Sequence, residues 1–330
     1  MVDQRRVRLG LIGAGRWGQK ILRTVVALRD RCELTHLVTR YQERAALVPY
    51  PVTVSQHWRD LVTAPCDAVI IATPPNLHAE MIEACLEQRK PCLVAKPLCL
   101  DLETAEHLQA RIETSHVPVL VDHTFLFHPA YKALKDALRL SGEIIRVVIS
   151  EGIGLGPFRS DTPAWWDWGP HDISLCLDLL GDMPTHIAAL AGPRDTMGHP
   201  EQLSVRLEFA QGTSAWIYAG RLGPQKCRRL AVFTEQSLYR WDGLGTPSLM
   251  RGSCDFNHRY AGTGWFDDLQ FEEVAIENSG RPLDGVLTYF LDGLAGGDRH
   301  YFGSMFGREV IRVLDACDRA MAVPSTVSVS

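Results

Sequence analysis

The sequence predicts an α/β protein: a doubly wound parallel sheet in the N-terminal part, then an α+β region with an open, mostly antiparallel sheet. Up to residue 123, short apolar runs alternate with amphipathic stretches, which is typical of parallel strands joined by crossover helices. Beyond it, β-rich segments follow one another with hairpin turns between them. We therefore expect domains over residues 1–123 and 124–330, with a C-terminal helix able to pack back on the first domain.

The first predicted strand ends in a glycine-rich turn, and the amphipathic stretch Trp17–Leu28 follows it. In this context Gly13 permits a tight turn, Gly15 lets a pyrophosphate approach the backbone, and Gly18 lets the helix pack closely on the strand. The positive helix end then faces the phosphates. The turn therefore predicts a dinucleotide-binding, Rossmann-type domain. The predicted cofactor contacts here are Gly13, Gly15, Arg16, Trp17 and Gly18.

The second predicted strand, Glu33–Val38, has no acidic residue at its carboxyl end. A carboxylate there would accept hydrogen bonds from the adenosine ribose and repel a 2′-phosphate. Thr39 offers a hydroxyl instead, and Arg40 a guanidinium that can pair with a phosphate and stack on adenine. The alternative is a solvent-exposed arginine that opens the next helix. The cofactor is predicted to be NADP or NAD, with NADP favoured.

Four more short segments complete the predicted first sheet, with helices between them. The strands are Val52–Val54, Ala68–Ala72, Pro91–Ala95 and Pro118–Val121, and the helices are Gln56–Val62, Leu77–Gln88 and Asp101–Ser115. The carboxyl ends of such strands meet at the edge where doubly wound sheets bind ligands. Further cofactor contacts are predicted there at Thr73, Pro74, Asn76, His78, Lys96 and Pro97. Asn76 is equally well explained as a helix N-cap.

The second domain is predicted to contain six strands and three helices, in addition to a fourth helix that carries His171. The strands are Glu143–Gly152, His186–Leu190, Leu203–Phe209, Thr213–Tyr218, Arg229–Thr234 and Ser237–Trp241, and the helices are Ala130–Leu140, Leu283–Ala295 and Met305–Met321. A glycine-spaced, aromatic loop is expected over Ser253–Gly264.

A further helix is predicted over His171–Leu180, because Gly169 suits its cap and Pro170 its first turn. His171 would then lie in the first turn, where the positive helix end favours a neutral imidazole. Asp172 is explained as a carboxylate that interacts with the same helix N-terminus.

Hydride transfer between an alcohol and a nicotinamide needs a proton acceptor for the hydroxyl and a cation that polarises the C–O bond. His171 can fill the first role, and Lys96, at the end of an apolar strand beside the cofactor, the second. Asp167, expected in the loop before the helix, could orient the imidazole or hold a substrate hydroxyl. These three residues are the predicted catalytic set.

Four motifs resemble the glucose-fructose oxidoreductase, inositol dehydrogenase and MocA family, over essentially the full length of the chain. They are GLIGAGRWG, ATPPNLHAE, AKPL and Asp167-x-x-x-His171. The resemblance implies the same catalytic set, Lys96, Asp167 and His171, and a cis peptide bond before Pro97. Ala95 stands where the family usually has glutamate, which bears on how Lys96 is held.

Three stretches, DHTFLFHP from Asp122, WDWGPHD from Trp166 and PQKCR from Pro224, resemble family members that act on nucleotide-linked sugars. The substrate contacts predicted from them and from nearby basic residues are His123, Arg159, Trp166, Lys226 and Arg228. The three basic side chains would bind a diphosphate or a sugar carboxylate. A solvated residue on a sheet edge is the alternative for each.

These observations predict an NAD(P)-dependent oxidoreductase that transfers hydride between nicotinamide and a sugar hydroxyl or keto group, on a nucleotide-linked sugar. The alternatives are a dehydrogenase of a free polyol or aldose such as inositol, a hydrolase that uses the cofactor transiently, and a non-catalytic NAD(P)-binding regulatory protein. The last is disfavoured because a sensor needs none of the three catalytic residues.

The net charge and the cysteine content limit the kinds of molecule that the protein is expected to bind. The formal charge of −5 and the lack of a Lys/Arg-rich block argue against nucleic acid or a membrane surface. Nine scattered cysteines without a CxxC pair suit reduced, buried thiols, so no metal site is expected. The charged Met1–Arg8 segment is unlike a signal peptide, and we expect a cytoplasmic protein. The family resemblance and the open sheet imply a homodimer or homotetramer.

Overall fold

The computed structural model describes residues 5–156, 158–159, 161–244, 248–254, 270–276, 280–296 and 303–322. The chain divides into two compact units, Met1–Thr124 with Pro282–Ile311 and Phe125–Arg281 with Arg312–Ser330. The first division thus falls one residue beyond the predicted boundary, and part of the C-terminal region returns to the first unit. Most of the loop predicted over Ser253–Gly264 lies outside the described residues. Within those residues, no helix is both long enough and apolar enough to span a bilayer.

The first unit contains a six-stranded parallel sheet, which confirms the predicted doubly wound fold. Its strands are β1 (Val7–Ile12), β2 (Cys32–Val38), β3 (Thr53–Ser55), β4 (Ala68–Ile71), β5 (Cys92–Ala95) and β6 (Val119–Asp122). Their order is β3-β2-β1-β4-β5-β6, so the direction of winding reverses between β1 and β4. Every residue of β4 is buried, as expected for a central strand covered on both faces. Ligands bind outside the carboxyl ends of the strands at such a reversal.

Eight α-helices accompany the sheets in the described part of the chain. They are α1 (Arg16–Ala27), α2 (Trp58–Thr63), α3 (His78–Glu87), α4 (Leu102–Ser115), α5 (Pro129–Ser141), α6 (Ala164–Leu180), α7 (Pro282–Leu294) and α8 (Ser304–Met321). The capping of α4 shows why the chain turns into a helix there, because the Asp101 carboxylate accepts a 2.7 Å hydrogen bond from the Thr104 N–H.

The second unit contains an eight-stranded, mostly antiparallel sheet, also as predicted. Its strands are β7 (Ile145–Leu155), β8 (His186–Ala191), β9 (Gln202–Glu208), β10 (Ser214–Gly220), β11 (Leu222–Thr234), β12 (Ser237–Asp242), β13 (Ser248–Ser253) and β14 (Phe271–Glu273). They lie in the order β14-β13-β12-β11-β7-β10-β9-β8, and only the β7–β10 pair among them is parallel. The short strands β13 and β14 were not predicted.

One face of this sheet is covered by α6, which packs on β7 and β10. Large apolar side chains that remain exposed on these strands include Ile149, Trp216 and Tyr218. Trp216 lies beside Ile149 in the strand register, so the two form a continuous apolar patch. The sheet is therefore open, as the sequence predicts.

The predicted start of the helix that carries His171 is wrong. Helix α6 begins at Ala164, with Pro163 as its N-cap and a first-turn hydrogen bond from the Asp167 N–H to the Pro163 carbonyl. Pro170 lies inside the helix, where its missing N–H removes one backbone hydrogen bond. Burial of Trp165 and Trp166 offsets that loss, because large aromatic side chains contribute strongly to stability. His171 is therefore mid-helical, and the helix dipole does not explain a neutral imidazole there.

Candidate functional site

The glycine turn has the geometry that a diphosphate cradle requires. Gly13 has φ +98°, and a Cβ there would lie 2.6 Å from the Ala72 carbonyl oxygen. A Cβ on Gly18 would lie 2.0 Å from the Gly13 carbonyl oxygen, whereas no heavy atom lies within 4 Å of one built on Gly15. The turn is thus closed at both ends and open at Gly15, the N-cap of α1. The residues present fit the pyrophosphate of a dinucleotide.

Trp17, next to this turn, is fixed by a carboxylate that the sequence interpretation did not assign to the site. Its indole N–H donates a 3.0 Å hydrogen bond to Asp122 at the carboxyl end of β6, and the Thr124 hydroxyl donates a second, 2.5 Å long. Asp122 is buried, and burial raises the pKa of its carboxyl group to about 6. The sequence did contain a signal for Asp122, because it is an acidic residue at the end of an apolar strand, on the edge of the sheet where ligands bind.

His78 joins the two loops that follow β4 and β5. Its Nδ1 lies 2.8 Å from the Pro97 carbonyl oxygen and its Nε2 3.0 Å from that of Thr73. The Lys96–Pro97 peptide bond is cis, as the family resemblance implies. His78 is fully buried, and burial lowers the pKa of its imidazole. The structure thus makes His78 a connector of the two loops, not a side chain presented to a ligand.

The other residues predicted between β4 and α3 are more accessible. Pro74 and Asn76 are exposed, and Thr73 is half-buried with its hydroxyl 3.5 Å from the Met81 sulfur. The N-cap of α3 is Leu77, and Pro74 is the N-cap of the preceding 3-10 helix. The capping alternative for Asn76 is therefore wrong, and its amide faces solvent.

Lys96 is half-buried at the carboxyl edge of the first sheet, among three buried titratable groups. Its charge acts on His78, Asp122 and His123. The His123 ring is 1% exposed and makes an edge contact with Phe306 at 5.2 Å. Among the described residues, neither of its nitrogens has a hydrogen-bond partner. Burial, and secondarily the charge of Lys96, lower the pKa of His123 to about 3, so this imidazole is neutral.

The residues predicted to contact adenosine lie at the carboxyl end of β2. Thr39 is buried, and its hydroxyl accepts a 3.0 Å hydrogen bond from the Tyr41 N–H, whereas Arg40 is exposed. A 3-10 helix, Gln42–Leu47, follows in place of an α-helix. It brings Arg44 to Gln19 of α1, with 3.3 Å between Nη1 and Oε1. Sequence reasoning missed Arg44, because six residues of 3-10 helix carry no α-helical periodicity.

In the second unit, Asp167 lies in the first turn of α6 between two arginines. Its Oδ1 is 3.5 Å from Arg159 Nη1 and its Oδ2 is 3.5 Å from Arg221 Nη2. Arg159 also pairs with Asp161 at 2.7 Å. The Arg221 side chain is only 1% exposed, and its Nη2 donates a 2.7 Å hydrogen bond to the Thr162 carbonyl. Arg221 was not predicted, because it lies between β10 and β11, where nothing in the local sequence signals that the side chain is buried.

His171 is bordered by an aromatic ring, and the next residue in the helix belongs to an ion pair. The centroids of His171 and Phe125 are 4.9 Å apart with their planes at 84°. Asp172 is fully buried and accepts hydrogen bonds from Arg228 Nη1 at 2.7 Å and from the Ser150 hydroxyl at 2.6 Å. The explanation of Asp172 as a carboxylate at a helix N-terminus is therefore wrong.

The four remaining predicted substrate contacts of the second unit differ in exposure. The Arg228 side chain is 4% exposed and held by Asp172, so it is neither a solvated edge residue nor open to a phosphate. Trp166 is also buried, and its indole N–H donates a 2.8 Å hydrogen bond to Asp318. Lys226 is exposed on β11, and Arg159 is about a third exposed. Both of these side chains are accessible to solvent, but the charge of Arg159 is paired with the Asp161 and Asp167 carboxylates.

The structure thus groups the predicted residues in two sets. The glycine turn, Thr73, His78, Lys96 and His123 lie along the carboxyl edge of the parallel sheet in the first unit. Asp167, His171 and their arginine and aromatic neighbours lie at α6 in the second unit. The first set can bind a dinucleotide and supply a cation, and the second can supply a base and a carboxylate.

Comparison with known proteins identifies related sequences along most of the chain. The family model for GFO/IDH/MocA oxidoreductases with an NAD-binding Rossmann fold matches residues 7–123, and the GFO/IDH/MocA C-terminal domain matches residues 158–240. A putative oxidoreductase from Magnetospirillum magnetotacticum is 35% identical with a TM-score of 0.84, over 95% of this chain and 100% of that one.

Two of the relatives are named for different substrates. The UDP-N-acetylglucosamine 3-dehydrogenase of Acidithiobacillus ferrooxidans is 26% identical over 78% of this chain and 79% of its own length. The NAD(+)-dependent scyllo-inositol 2-dehydrogenase of Bacillus subtilis is 26% identical over 72% of this chain and 74% of its own. Nucleotide-linked and free polyol substrates are thus both represented among the relatives.

Proposed function

Because the chain belongs to the GFO/IDH/MocA family of oxidoreductases, we propose that it transfers hydride between NADP and a hydroxyl or keto carbon of a nucleotide-linked sugar. The observation that carries this proposal is that a glycine turn open at Gly15 and the Lys96 cation share one edge of the parallel sheet. A cation beside a bound nicotinamide suits polarisation of a C–O bond.

The cofactor, when bound, supplies the hydride acceptor or donor. In the oxidative direction a ring nitrogen of His171 takes the hydroxyl proton while the Lys96 ammonium stabilises the negative charge that develops on the oxygen. The C–H bond breaks with both of its electrons leaving as hydride, and a C=O bond forms. Asp167, held between Arg159 and Arg221, supplies a fixed carboxylate that orients the base or a sugar hydroxyl.

NADP is proposed over NAD because Arg40 is exposed at the end of β2, Arg44 lies close by, and β2 has no acidic residue at its carboxyl end. A nucleotide-linked substrate is proposed over a free polyol because Lys226 presents positive charge in the second unit, and a free polyol has no phosphate to neutralise. The resemblance to the UDP-N-acetylglucosamine 3-dehydrogenase supports the same choice.

A thermal-shift panel tests this proposal. A ligand that binds only the folded state raises the free energy of unfolding by RT ln(1 + [L]/Kd). NADP should raise the Tm more than NAD does. UDP-linked and TDP-linked sugars should raise it further in the presence of NADP, whereas inositol should not. Turnover of inositol with no response to nucleotide-linked sugars would replace the substrate proposal with the free-polyol alternative.

We also propose that the chain forms a homodimer or homotetramer through the open face of its second sheet. The exposed patch around Ile149, Trp216 and Tyr218 is apolar, and such patches on a sheet mark association surfaces. Light scattering should give a multiple of the 36.8 kDa chain mass, and Trp216→Glu should shift it toward that of one chain. A wild-type protein that scatters as one chain would contradict this assignment.

A further inference from the structure

Phe125 lies between the imidazole of His171 and the guanidinium of Arg228. Its ring makes the 4.9 Å edge contact with His171, and Cζ of Arg228 lies 4.8 Å from its centroid. A third contact, to Trp241, has a centroid distance of 6.1 Å. Aromatic rings prefer such edge contacts, and the face of a ring attracts a guanidinium. The Phe125 ring is therefore fixed from several directions.

The Arg228 guanidinium is itself held in a buried ion pair. Its ion pair with Asp172 is buried on both sides, and Ser150 donates a further hydrogen bond to the same carboxylate. Gly152 on β7 leaves room for the pair, since a Cβ there would lie 2.5 Å from Asp172 Oδ2 and 2.6 Å from Arg228 Nη1. A buried pair with this little free space holds one geometry.

The ion pair and the aromatic ring act on adjacent residues of one helix. Asp172 follows His171 in α6, so the pair fixes the backbone turn that carries the imidazole. Phe125, placed against the same guanidinium, limits how that imidazole can rotate. The helix dipole, which the sequence suggested would govern His171, does not reach this mid-helical position.

We propose that Phe125 is a positioning residue for His171, held in place by the buried Arg228–Asp172 ion pair. The inference rests on the proposed function, in which His171 is the base. A general base must lie within hydrogen-bond reach of the proton it takes, and a displacement of about 1 Å can reduce the rate about a hundredfold.

Phe125→Leu tests the inference, with Phe209→Leu as the matched control, because Phe209 is a buried phenylalanine that follows β9 in the same unit. Phe125→Leu should lower kcat about ten- to a hundredfold and leave the Kd of NADP unchanged. Phe209→Leu should leave kcat unchanged. Phe125→Tyr, which keeps the ring, should restore most of the turnover.

A readout independent of turnover comes from the ring protons of His171 in an NMR pH titration, assigned by their loss in His171→Gln. In Phe125→Leu these resonances should lose the ring-current shift and titrate with a different pKa, whereas in Phe209→Leu both should stay as in the wild type. If Phe125→Leu does not fold, Arg228→Lys keeps the charge opposite Asp172 but removes the planar face. Arg228→Lys should shift the His171 ring resonances in the same direction as Phe125→Leu does.

The outcomes separate the two proposals. Wild-type turnover in His171→Gln would overturn the proposed base, and this inference with it. An inactive His171→Gln together with a Phe125→Leu variant that matches the wild type in kcat and in the His171 resonances would overturn the positioning role alone.

Discussion

The two sets of site residues are held by different forces. At the carboxyl edge of the first sheet, geometry comes from the backbone: Gly13 and Gly18 tolerate no Cβ, and His78 bonds to two backbone carbonyls. Around α6, geometry comes from charged side chains that pair in the interior, as Asp172 does with Arg228. The first region therefore depends on single residue types at fixed spacing, and the second on partners distant in the sequence.

We expect catalysis to depend on the residues at α6, and cofactor binding to depend on the carboxyl edge of the first sheet. His171→Ala should lower kcat by about two to four decades because the proton acceptor is lost. The Kd of NADP, measured by fluorescence titration, should not change. His199→Ala, at a half-exposed histidine of the same unit, is the control and should leave kcat intact. A His171→Ala variant that loses NADP binding and turnover together would remove the distinction between the regions.

Removal of one member of a buried ion pair should strongly destabilise the second region. Asp172→Asn leaves the Arg228 guanidinium buried without its counter-charge and should reduce the free energy of unfolding by about 3–5 kcal/mol. Asp161→Asn removes a carboxylate from an exposed pair with Arg159 and should cost at most about 1 kcal/mol. Urea denaturation measures both. Equal effects of the two substitutions would show that burial does not set the strength of these pairs.

The first region contains a titratable group whose effect on stability has a definite sign. Asp122 has its pKa raised by burial from 3.8 to about 6, so between these pH values the folded chain keeps a proton that the unfolded chain has released. Its contribution to stability therefore falls as pH rises and is fully lost above about pH 6, a change of about 3 kcal/mol at most.

Asp122→Asn should remove this fall from the pH dependence of unfolding. Asp67 has the opposite sign, because its hydrogen bond with Arg8 lowers the pKa of its carboxyl group. Asp67→Asn should therefore remove stability that is present at neutral pH and lost on acidification. If both variants keep the wild-type pH dependence, the pKa assignments are wrong.

The smallest expected effect concerns cofactor choice. Arg40→Ala should weaken NADP about ten- to a hundredfold, because a charge-assisted contact with the 2′-phosphate is lost, and should change NAD binding little. Arg29→Ala, at a basic residue just beyond α1, serves as the control for a general loss of positive charge. Calorimetric titration with both cofactors gives the ratio. Equal losses for NADP and NAD would contradict the assigned 2′-phosphate contact.

The contrast also explains what could be predicted from the sequence. The parallel sheet and the glycine turn were predicted correctly, because apolar runs and glycine spacing act through local sterics. The start of α6 was not, because Gly169 and Pro170 resemble a helix start, whereas the helix extends back to Ala164 with Trp165 and Trp166 buried near its beginning. Tertiary packing therefore outweighed the local preference of Gly169 and Pro170 for a helix start.

The side-chain pairs of the second unit were not predictable for a related reason. Arg221 was passed over and Arg228 was assigned to the substrate, because nothing near either residue in the sequence signals that Asp167 and Asp172 lie beside them. Asp172 and Arg228 are 56 positions apart, so only the assembled sheet brings them together. Burial of an ion pair is a property of the fold, which a single sequence does not encode in any local pattern.

The first unit is discontinuous in the chain, and this has a consequence for its synthesis. Helix α7 packs on α1, and the Thr24 hydroxyl donates a 3.0 Å hydrogen bond to Asp284, 260 positions later. A ribosome therefore completes the parallel sheet long before it releases the helix that covers α1. Until α7 emerges, α1 lacks both this hydrogen bond and the packing that α7 provides. A fragment cut at residue 123 would lack α7 permanently, so a cut where the strands of the first sheet end removes part of the first unit.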